Sequence, residues 1–361
     1  EGSACPSTRT TDARRRRAPP HAPKMTALRS RLQAVAARGT LRAAAPPGGA
    51  LRGFSAVRID GKPGEPFISL HDLTFIRGDG AFEVVPLLPS PAQGSTGLPY
   101  GLQLHLERLE ATARSLRLPV LHSMDRIGDW VRDMGRHQGP GSCRIVLTRG
   151  QPTKDVAPKV IMLHDPPSEM PASLRLKSMG APWHFGYGLP VHPDPPPYSQ
   201  KVDIDAWTTI KWMSYAPNCL MTRIAQENGA DDALLLAADG RVLDGPNFAV
   251  GFVLGGALRL VAAGANRMLP SCTQVKVTKA AALVGMPIRE GTITIDEVRQ
   301  ASAGFAMSAT RHVMPISAVD DHKMSTGNAM LCDLQSAYWR MVEEDLQAEA
   351  QLPPAGMPGM M

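Results

Sequence analysis

The sequence predicts an α+β protein of two unequal domains, and three observations carry that prediction. Short apolar runs bounded by turn residues alternate with longer stretches of helical spacing, so neither kind of element dominates. Between Gly180 and Tyr198, nine of nineteen residues are Pro or Gly, a composition that helix and strand both reject, and the chain divides there. In the second half, Asp239-Gly240 and Gly255-Gly256 are the dipeptides that tight antiparallel turns require.

The elements follow in order. Phe67-Ile-Ser-Leu70, Ala81-Phe-Glu-Val-Val85, Arg144-Ile-Val-Leu-Thr148 and Val160-Ile-Met-Leu163 read as strands of the first domain. Leu102, Leu106, Leu109, Ala113 and Leu116, spaced four, three, four and three, predict a helix over 102–118 that Pro119 stops. His105 and Arg108 share another face of it. In the second domain a helix from about Asn218 ends at Asn228-Gly229, and residues 233–261 read as an antiparallel meander carrying Asp244-Gly245-Pro246-Asn247 at a strand junction. A further helix runs from Thr273 to Gly285, with Ser271 as its N-cap.

With 361 residues, 43% of them apolar, the chain can bury one or two real cores, which excludes fibrous and wholly disordered classes. The formal charge of +6 points at first to nucleic acid or an anionic surface, but the charge is unevenly placed. Residues 1–58 hold twelve Lys/Arg against Glu1 and Asp12, a formal +10, while the remaining 27 basic and 31 acidic residues leave the rest at −4. The basic segment, with Arg14 to Arg17 in a row and Met25-Thr-Ala-Leu-Arg-Ser-Arg-Leu after it, is similar to an organellar transit peptide. Its Ala-Pro bias over residues 43–50 favours a plastid over a mitochondrion. The alternative, an arm that stays on and binds nucleic acid, is not the expectation, and no nucleic-acid or membrane partner is expected. The expected organisation is thus a leader over 1–58, a small domain over 59–179, a connecting loop over 180–198, a larger domain over 199–350 and a frayed tail over 351–361. Five widely separated cysteines with no C-x-x-C pair indicate neither a zinc site nor a disulfide framework, so no metal is expected.

From Ala206 to Thr222 the single charge is Lys211. A lysine in such surroundings either reaches out to water or is held desolvated, and a desolvated amine has a lowered pKa that makes it a nucleophile toward carbonyls. Arg108 on a helix face and Ser271-Cys272-Thr273 at a helix start are by themselves ordinary. Together with Lys211 and a carboxylate they form the set a pyridoxal phosphate site requires: an amine for the covalent bond, a guanidinium and free amides for the phosphate, and an acid for the pyridine nitrogen.

Five motifs in order strengthen that reading. Gly78-Asp-Gly-Ala-Phe-Glu83, His105-Leu-Glu-Arg108-Leu109, Ile210-Lys211-Trp-Met-Ser-Tyr215-Ala-Pro-Asn218, Gly229-Ala-Asp-Asp-Ala-Leu-Leu-Leu followed by Asp244-Gly245-Pro-Asn247, and Leu269-Pro-Ser-Cys272-Thr273 each have a counterpart in one family. The chain resembles the fold-type IV pyridoxal-phosphate enzymes, which comprise branched-chain and D-amino-acid aminotransferases and aminodeoxychorismate lyases. The resemblance implies a small α/β N-terminal domain and a larger pseudo-barrel domain with antiparallel strands, the cofactor between them, and a homodimer. It implies Lys211 as the Schiff-base lysine. Arg108, Cys272, Thr273 and Thr310 are then expected to bind the cofactor phosphate, Tyr215 its phenolic oxygen and Asp244 its pyridine nitrogen.

Two departures stand out. Asp244 is one methylene shorter than the family's glutamate, with Ala249 in place of an asparagine, and in an ungapped match Ala309 occupies the position of the phosphate-binding threonine, leaving Thr310 one residue late. The first of these departures motivates a homologue that binds the cofactor without turnover. Phe82 and Arg144 are expected to bind substrate. Phe82 suits an apolar pocket of the branched-chain kind, and Arg144 falls where that branch has its Y-x-R arginine, with Ser142 in place of the tyrosine. The expected reaction is transamination between a small apolar amino acid and a 2-oxo acid. The lyase reaction and D-amino-acid transamination are the alternatives.

Overall fold

The computed structural model describes residues 55–64, 67–181, 208–266 and 268–352. Most of the expected leader, the expected loop from residue 182 to 198, and the tail beyond Leu352 lie outside the described residues.

Two sheets organise the fold. The first contains β1 (Ala56–Ile59), β2 (Lys62–Pro63), β3 (Gly80–Pro89), β4 (Gly97–Pro99), β5 (Gly141–Thr148) and β6 (Val160–Asp165), in the order β2-β1-β6-β5-β3-β4 with every pairing antiparallel. A short helix α1 (Leu73–Arg77) precedes β3, and helices α2 (Leu102–Ser115) and α3 (Met124–Gln138) cover one face. The period-two side-chain alternation of β3 sends Ala81, Val85 and Leu87 into the core beneath these helices, where they meet Leu102, Leu106, Leu109, Ile127 and Val131. Phe82, Val84 and Pro86 therefore face the other way. Capping agrees with the chemistry: Ser123 caps α3 by accepting from the Arg126 amide, and the predicted helix over 102–118 is regular to Ser115.

The second sheet has the order β11-β10-β9-β12-β13-β7-β8, built from β7 (Leu174–Gly180), β8 (Asp232–Leu236), β9 (Ala249–Leu254), β10 (Ala257–Val261), β11 (Ile288–Gly291), β12 (Ala303–Ser308) and β13 (His312–Val319), with β14 (His322–Lys323) on β13. Both of its faces are buried. Val250, Phe252, Ala306 and Met314 join a core that includes Met221 and Ala225 of α4 (Ala216–Glu227). Val253, Leu258, Phe305 and Met307 pack with α5 (Cys272–Leu283) and α6 (Ala329–Ala350). Ser271 caps α5 as expected, its hydroxyl accepting from the Gln274 amide at 3.2 Å.

Four expectations change. Phe67–Leu70 is not a strand: the Ser69 carbonyl accepts from the Asp72 amide in a turn that leads into α1, and Phe67 and Leu70 are exposed. Ala56–Arg58, counted with the leader on charge, pair with β6 and belong to the first sheet. Leu174–Gly180, expected as the end of the small domain up to residue 179 and the start of the loop, is β7 and sits in the second sheet between β13 and β8, so the chain enters the second sheet over residues 166–173. The meander holds only in part. The Asp239-Gly240 turn folds 241–244 back on 235–237 and Gly255-Gly256 joins β9 to β10, but β8 pairs in parallel with β7 and not with β9. The parallel pairs β7·β8, β7·β13 and β10·β11 make the larger sheet mixed.

Candidate active site

A cavity of about 1150 Å³ lies between the two sheets. Its walls are Phe82, Val84 and Pro86 of β3, Ser142 and Arg144 of β5, the Asp165–Ala172 crossing, the turns after β8 and β12, and the first turn of α5. The volume exceeds the usual range of about 300–1,000 Å³ for small-molecule pockets, enough for a cofactor and a substrate together.

Lys211 reaches this cavity from a segment docked on β3. The Phe82 amide donates to the Lys211 carbonyl (3.0 Å) and the Met213 amide to the Gly80 carbonyl (2.8 Å), so 211–213 forms a short extra rung. Ser214 packs against Gly78, where a Cβ would lie 2.3 Å from its hydroxyl and φ is +68°, so glycine is required there. The Lys211 ammonium donates to the Tyr215 hydroxyl at 3.4 Å and lies 4.5 Å from the Phe82 ring centroid. Burial, with Arg108 next in effect, lowers its pKa to about 8. The structure therefore selects the desolvated alternative that the sequence left open. Tyr215, stacked edge-on against Phe82 at 5.0 Å, is held above its ordinary value by burial and by Asp244, and so stays a neutral phenol.

Asp244 faces the same amine. Burial raises its pKa to about 7, opposed by Lys211. Its turn is fixed from two sides: the Asn218 side-chain amide of α4 donates to the Pro246 carbonyl at 2.8 Å, and the Arg311 guanidinium bonds the Asn247 side-chain oxygen and, at 3.1 Å, Asp232.

The opposite end of the cavity is cationic. Glu83 points to the helix side of β3, fully buried, and there meets α2: Arg108 donates Nε to Oε1 (2.6 Å) and Nη2 to Oε2 (2.9 Å), and His105 Nδ1 lies 2.8 Å from Oε2. The remaining Arg108 nitrogen, Nη1, donates to the Pro270 carbonyl at 2.6 Å just before α5. Burial alone pushes the Glu83 carboxyl up, but Arg108 and His105 outweigh it and hold it at about 2. For His105 burial pushes down, while contacts with Cys272 and Glu83 raise it to about 9. The cluster carries one carboxylate and two cations, a net positive charge directed at the first turn of α5. The amides of Cys272 and Thr273 stand in that turn, before the helix's own carbonyl partners begin.

The structure thus brings Lys211, Tyr215, Arg108, Asp244, Cys272, Thr273, Phe82 and Arg144 to one cavity. Thr310 lines it too, exposed in the β12–β13 turn, but Ala309 and not Thr310 shares the small space against Cys272 and Thr273. Glu83 and His105 were visible only as motif letters, because their role depends on β3 turning one face to α2. Asp79 of the Gly78-Asp-Gly80 segment and Arg149, just after β5, form a two-point ion pair (2.8 and 2.9 Å) that braces α1 against β5. Arg311 had no signal in the sequence. Among the described residues, no group of His, Cys, Asp and Glu could hold a metal ion, and no helix is long and apolar enough to cross a membrane.

The amino-transferase class IV family matches residues 80–319, which take in most of both sheets and all of the cavity lining except Gln335 and Trp339. This chain belongs to the class IV aminotransferase family. It is 27% identical over 212 residues to a bifunctional aminodeoxychorismate lyase / D-amino acid transaminase of Mycobacterium tuberculosis, a match covering 54% of this chain and 64% of that relative's length. It is 22% identical over 292 residues to a chloroplastic D-amino-acid transaminase of Arabidopsis thaliana (76% of this chain, 71% of the relative). The fold matches the branched-chain aminotransferase of Thermoproteus uzoniensis with a TM-score of 0.68 at 20% identity, covering 82% of this chain and 97% of the other. The two-domain fold-type IV architecture expected from the motifs is thereby present.

Two outcomes test the cationic cluster. Glu83→Gln leaves two cations facing a neutral amide, and urea unfolding should show a loss of about 3–5 kcal/mol. Because His105 is raised from an ordinary 6.5 to about 9, its pairing stabilises the fold fully below pH 6.5, and that contribution is lost as pH climbs through about 9. Unfolding followed across that window should slope downward in the parent protein and be flatter in His105→Gln.

Proposed function

We propose that this aminotransferase binds pyridoxal 5'-phosphate and moves an amino group between a small apolar amino acid of the branched-chain kind and a 2-oxo acid. One observation carries the reading: a half-buried lysine with a depressed pKa lies in a cavity between the Asp244 carboxyl and a cationic helix start. These residues fit the cofactor's three chemically distinct ends. Arg108 with the Cys272 and Thr273 amides would hold the phosphate, Tyr215 the phenolic oxygen, Asp244 the ring nitrogen, and Lys211 the aldehyde carbon. When bound, the cofactor supplies an electron sink that stabilises negative charge at a substrate's α-carbon.

The chain supplies the rest. With a pKa near 8, Lys211 Nζ is neutral in a useful fraction of molecules at neutral pH, so it can act as nucleophile and then take and return a proton. Tyr215 holds that nitrogen at 3.4 Å and orients it. The Asp244 carboxyl, its pKa raised to about 7 by burial, would ionise readily against a cationic ring, and the turn anchors on Asn218 and Arg311 keep it in place. Phe82 presents an apolar wall, and Arg144, on the same face of the sheet, is the cation available to a substrate carboxylate.

The lyase and D-amino-acid readings draw support from the activities of the Mycobacterium tuberculosis and Arabidopsis thaliana relatives, and Asp244 with Ala249 supports a cofactor-binding homologue without turnover. A homodimer is part of the proposal: Phe67, Leu70, Phe75 and Ile76 expose 72, 69, 57 and 49% of their surface within ten residues. A plastid location is proposed on the leader's composition, in keeping with the chloroplastic relative.

A donor screen separates the readings. Protein mixed with pyridoxal phosphate should absorb in the visible, and L-leucine should shift that band and yield the 2-oxo acid; a response to D-alanine alone, or pyruvate release from aminodeoxychorismate, reassigns the substrate. Lys211→Ala should lower turnover by at least about a hundredfold. A protein that takes up no cofactor contradicts the proposal.

A further inference from the structure

The register that builds the cavity wall also sets a negative charge against Arg144. Across β5 and β6, Ser142 pairs with Asp165 and Arg144 with Leu163, so Asp165 is the diagonal neighbour of Arg144 on the cavity face. Their closest approach, Nη2 to Oδ2, is 3.9 Å, with 38 and 36% of the two side chains exposed. That is a Coulombic pair without a hydrogen bond. The Arg144 guanidinium also lies 5.7 Å from the Phe82 ring, the same ring that lies under the Lys211 amine. The two other guanidiniums on the cavity are committed: Arg108 to Glu83 and Pro270, Arg311 to Asp232 and Asn247. Arg144 is therefore the half-exposed guanidinium on the cavity that none of these hydrogen bonds holds, and Asp165 is its loosely held counter-ion.

Asp165 cannot follow Arg144 by shifting its backbone. Pro166 and Pro167 come directly after it, and a residue before proline is confined to extended conformations. When a ligand's carboxylate arrives at Arg144, the Asp165 side chain must rotate toward solvent or stay and repel it.

We propose that Asp165 is a specificity-determining residue, the counter-charge that a substrate carboxylate displaces from Arg144. It weakens binding of carboxylate-bearing ligands and leaves carboxylate-free ones untouched, narrowing the preference between amino acids and simple amines. The inference rests on the proposed role of Arg144 toward the substrate carboxylate, and binding can be read without turnover.

Calorimetric titration of the cofactor-loaded protein with 4-methylvalerate and with its uncharged isostere 4-methylvaleramide tests it. Asp165→Asn should bind the carboxylate at least about threefold more tightly, in line with the strength of a half-exposed ion pair, with the amide unchanged. The gain should vanish in the double variant with Arg144→Gln, while Asp165→Glu should keep the parent's weaker binding. Equal carboxylate affinity in parent and Asp165→Asn, or a gain shared by the amide, overturns the proposal. A protein that binds as expected but transaminates nothing refutes the function proposed above and leaves this inference standing.

Discussion

The buried Glu83 carboxylate is the constraint on which the rest of the site depends. A charge removed from water is stable only when it is fully paired, and Glu83 is paired by two cations from one helix turn of α2. This pairing fixes α2 against β3, and through the Arg108 contact to the Pro270 carbonyl it fixes the start of α5, which belongs to the other sheet. One side chain thus ties the two halves together at the point where an anion would sit. The opposite face of the same strand carries Phe82, and the β3 backbone docks the Lys211 segment. Successive residues of β3 therefore separate two duties: Glu83 organises the cationic end of the cavity on one face, and Phe82 and the lysine rung form the end that holds the amine on the other.

The electrostatics of the cavity follow from that arrangement. Arg108 is satisfied by Glu83, yet its charge still lowers the Lys211 pKa, second only to burial. Lys211 in turn opposes the burial that raises Asp244. A cation that depresses an amine and an amine that restrains an acid are a linked series, so a change at the cationic end is felt at the far carboxylate. Tyr215 sits between these charges, a neutral phenol beside the amine. The shorter side chain at Asp244 is met by unusually firm anchoring of its turn, from Asn218 on one side and Arg311 on the other. The link from Asn218 joins the lysine segment directly to the acid's turn, and both lie in motifs that the sequence presents as separate.

Much of this was legible in the sequence wherever the signal is local. The spacing from Leu102 to Ala113, the Ser271 cap, the Asn228-Gly229 stop and the apolar runs of β3, β5 and β6 all reflect interactions among near neighbours. Pairing between distant strands was not legible. Nothing local in Leu174–Gly180 assigns it to either sheet, and only its parallel partners β8 and β13 settle which. Ala56–Ile59 was hidden by the surrounding positive charge, and Phe67–Leu70 was misread because an apolar run of four is also what an exposed turn segment can contain. The same limit applied to the site. Lys211, Asp244 and Arg108 could be named from motifs, whereas Asp165 and Arg311 needed register and turn geometry to come into view.

The central claim is that Lys211, and no other lysine, is the residue that bonds the cofactor's aldehyde carbon in the cavity built around Glu83 and Arg108. Borohydride reduction of the protein mixed with pyridoxal phosphate, followed by peptide mass spectrometry, reads this directly. The account predicts a single phosphopyridoxyl group on the peptide containing Lys211. The same group on another lysine, or its absence from every peptide, would contradict it.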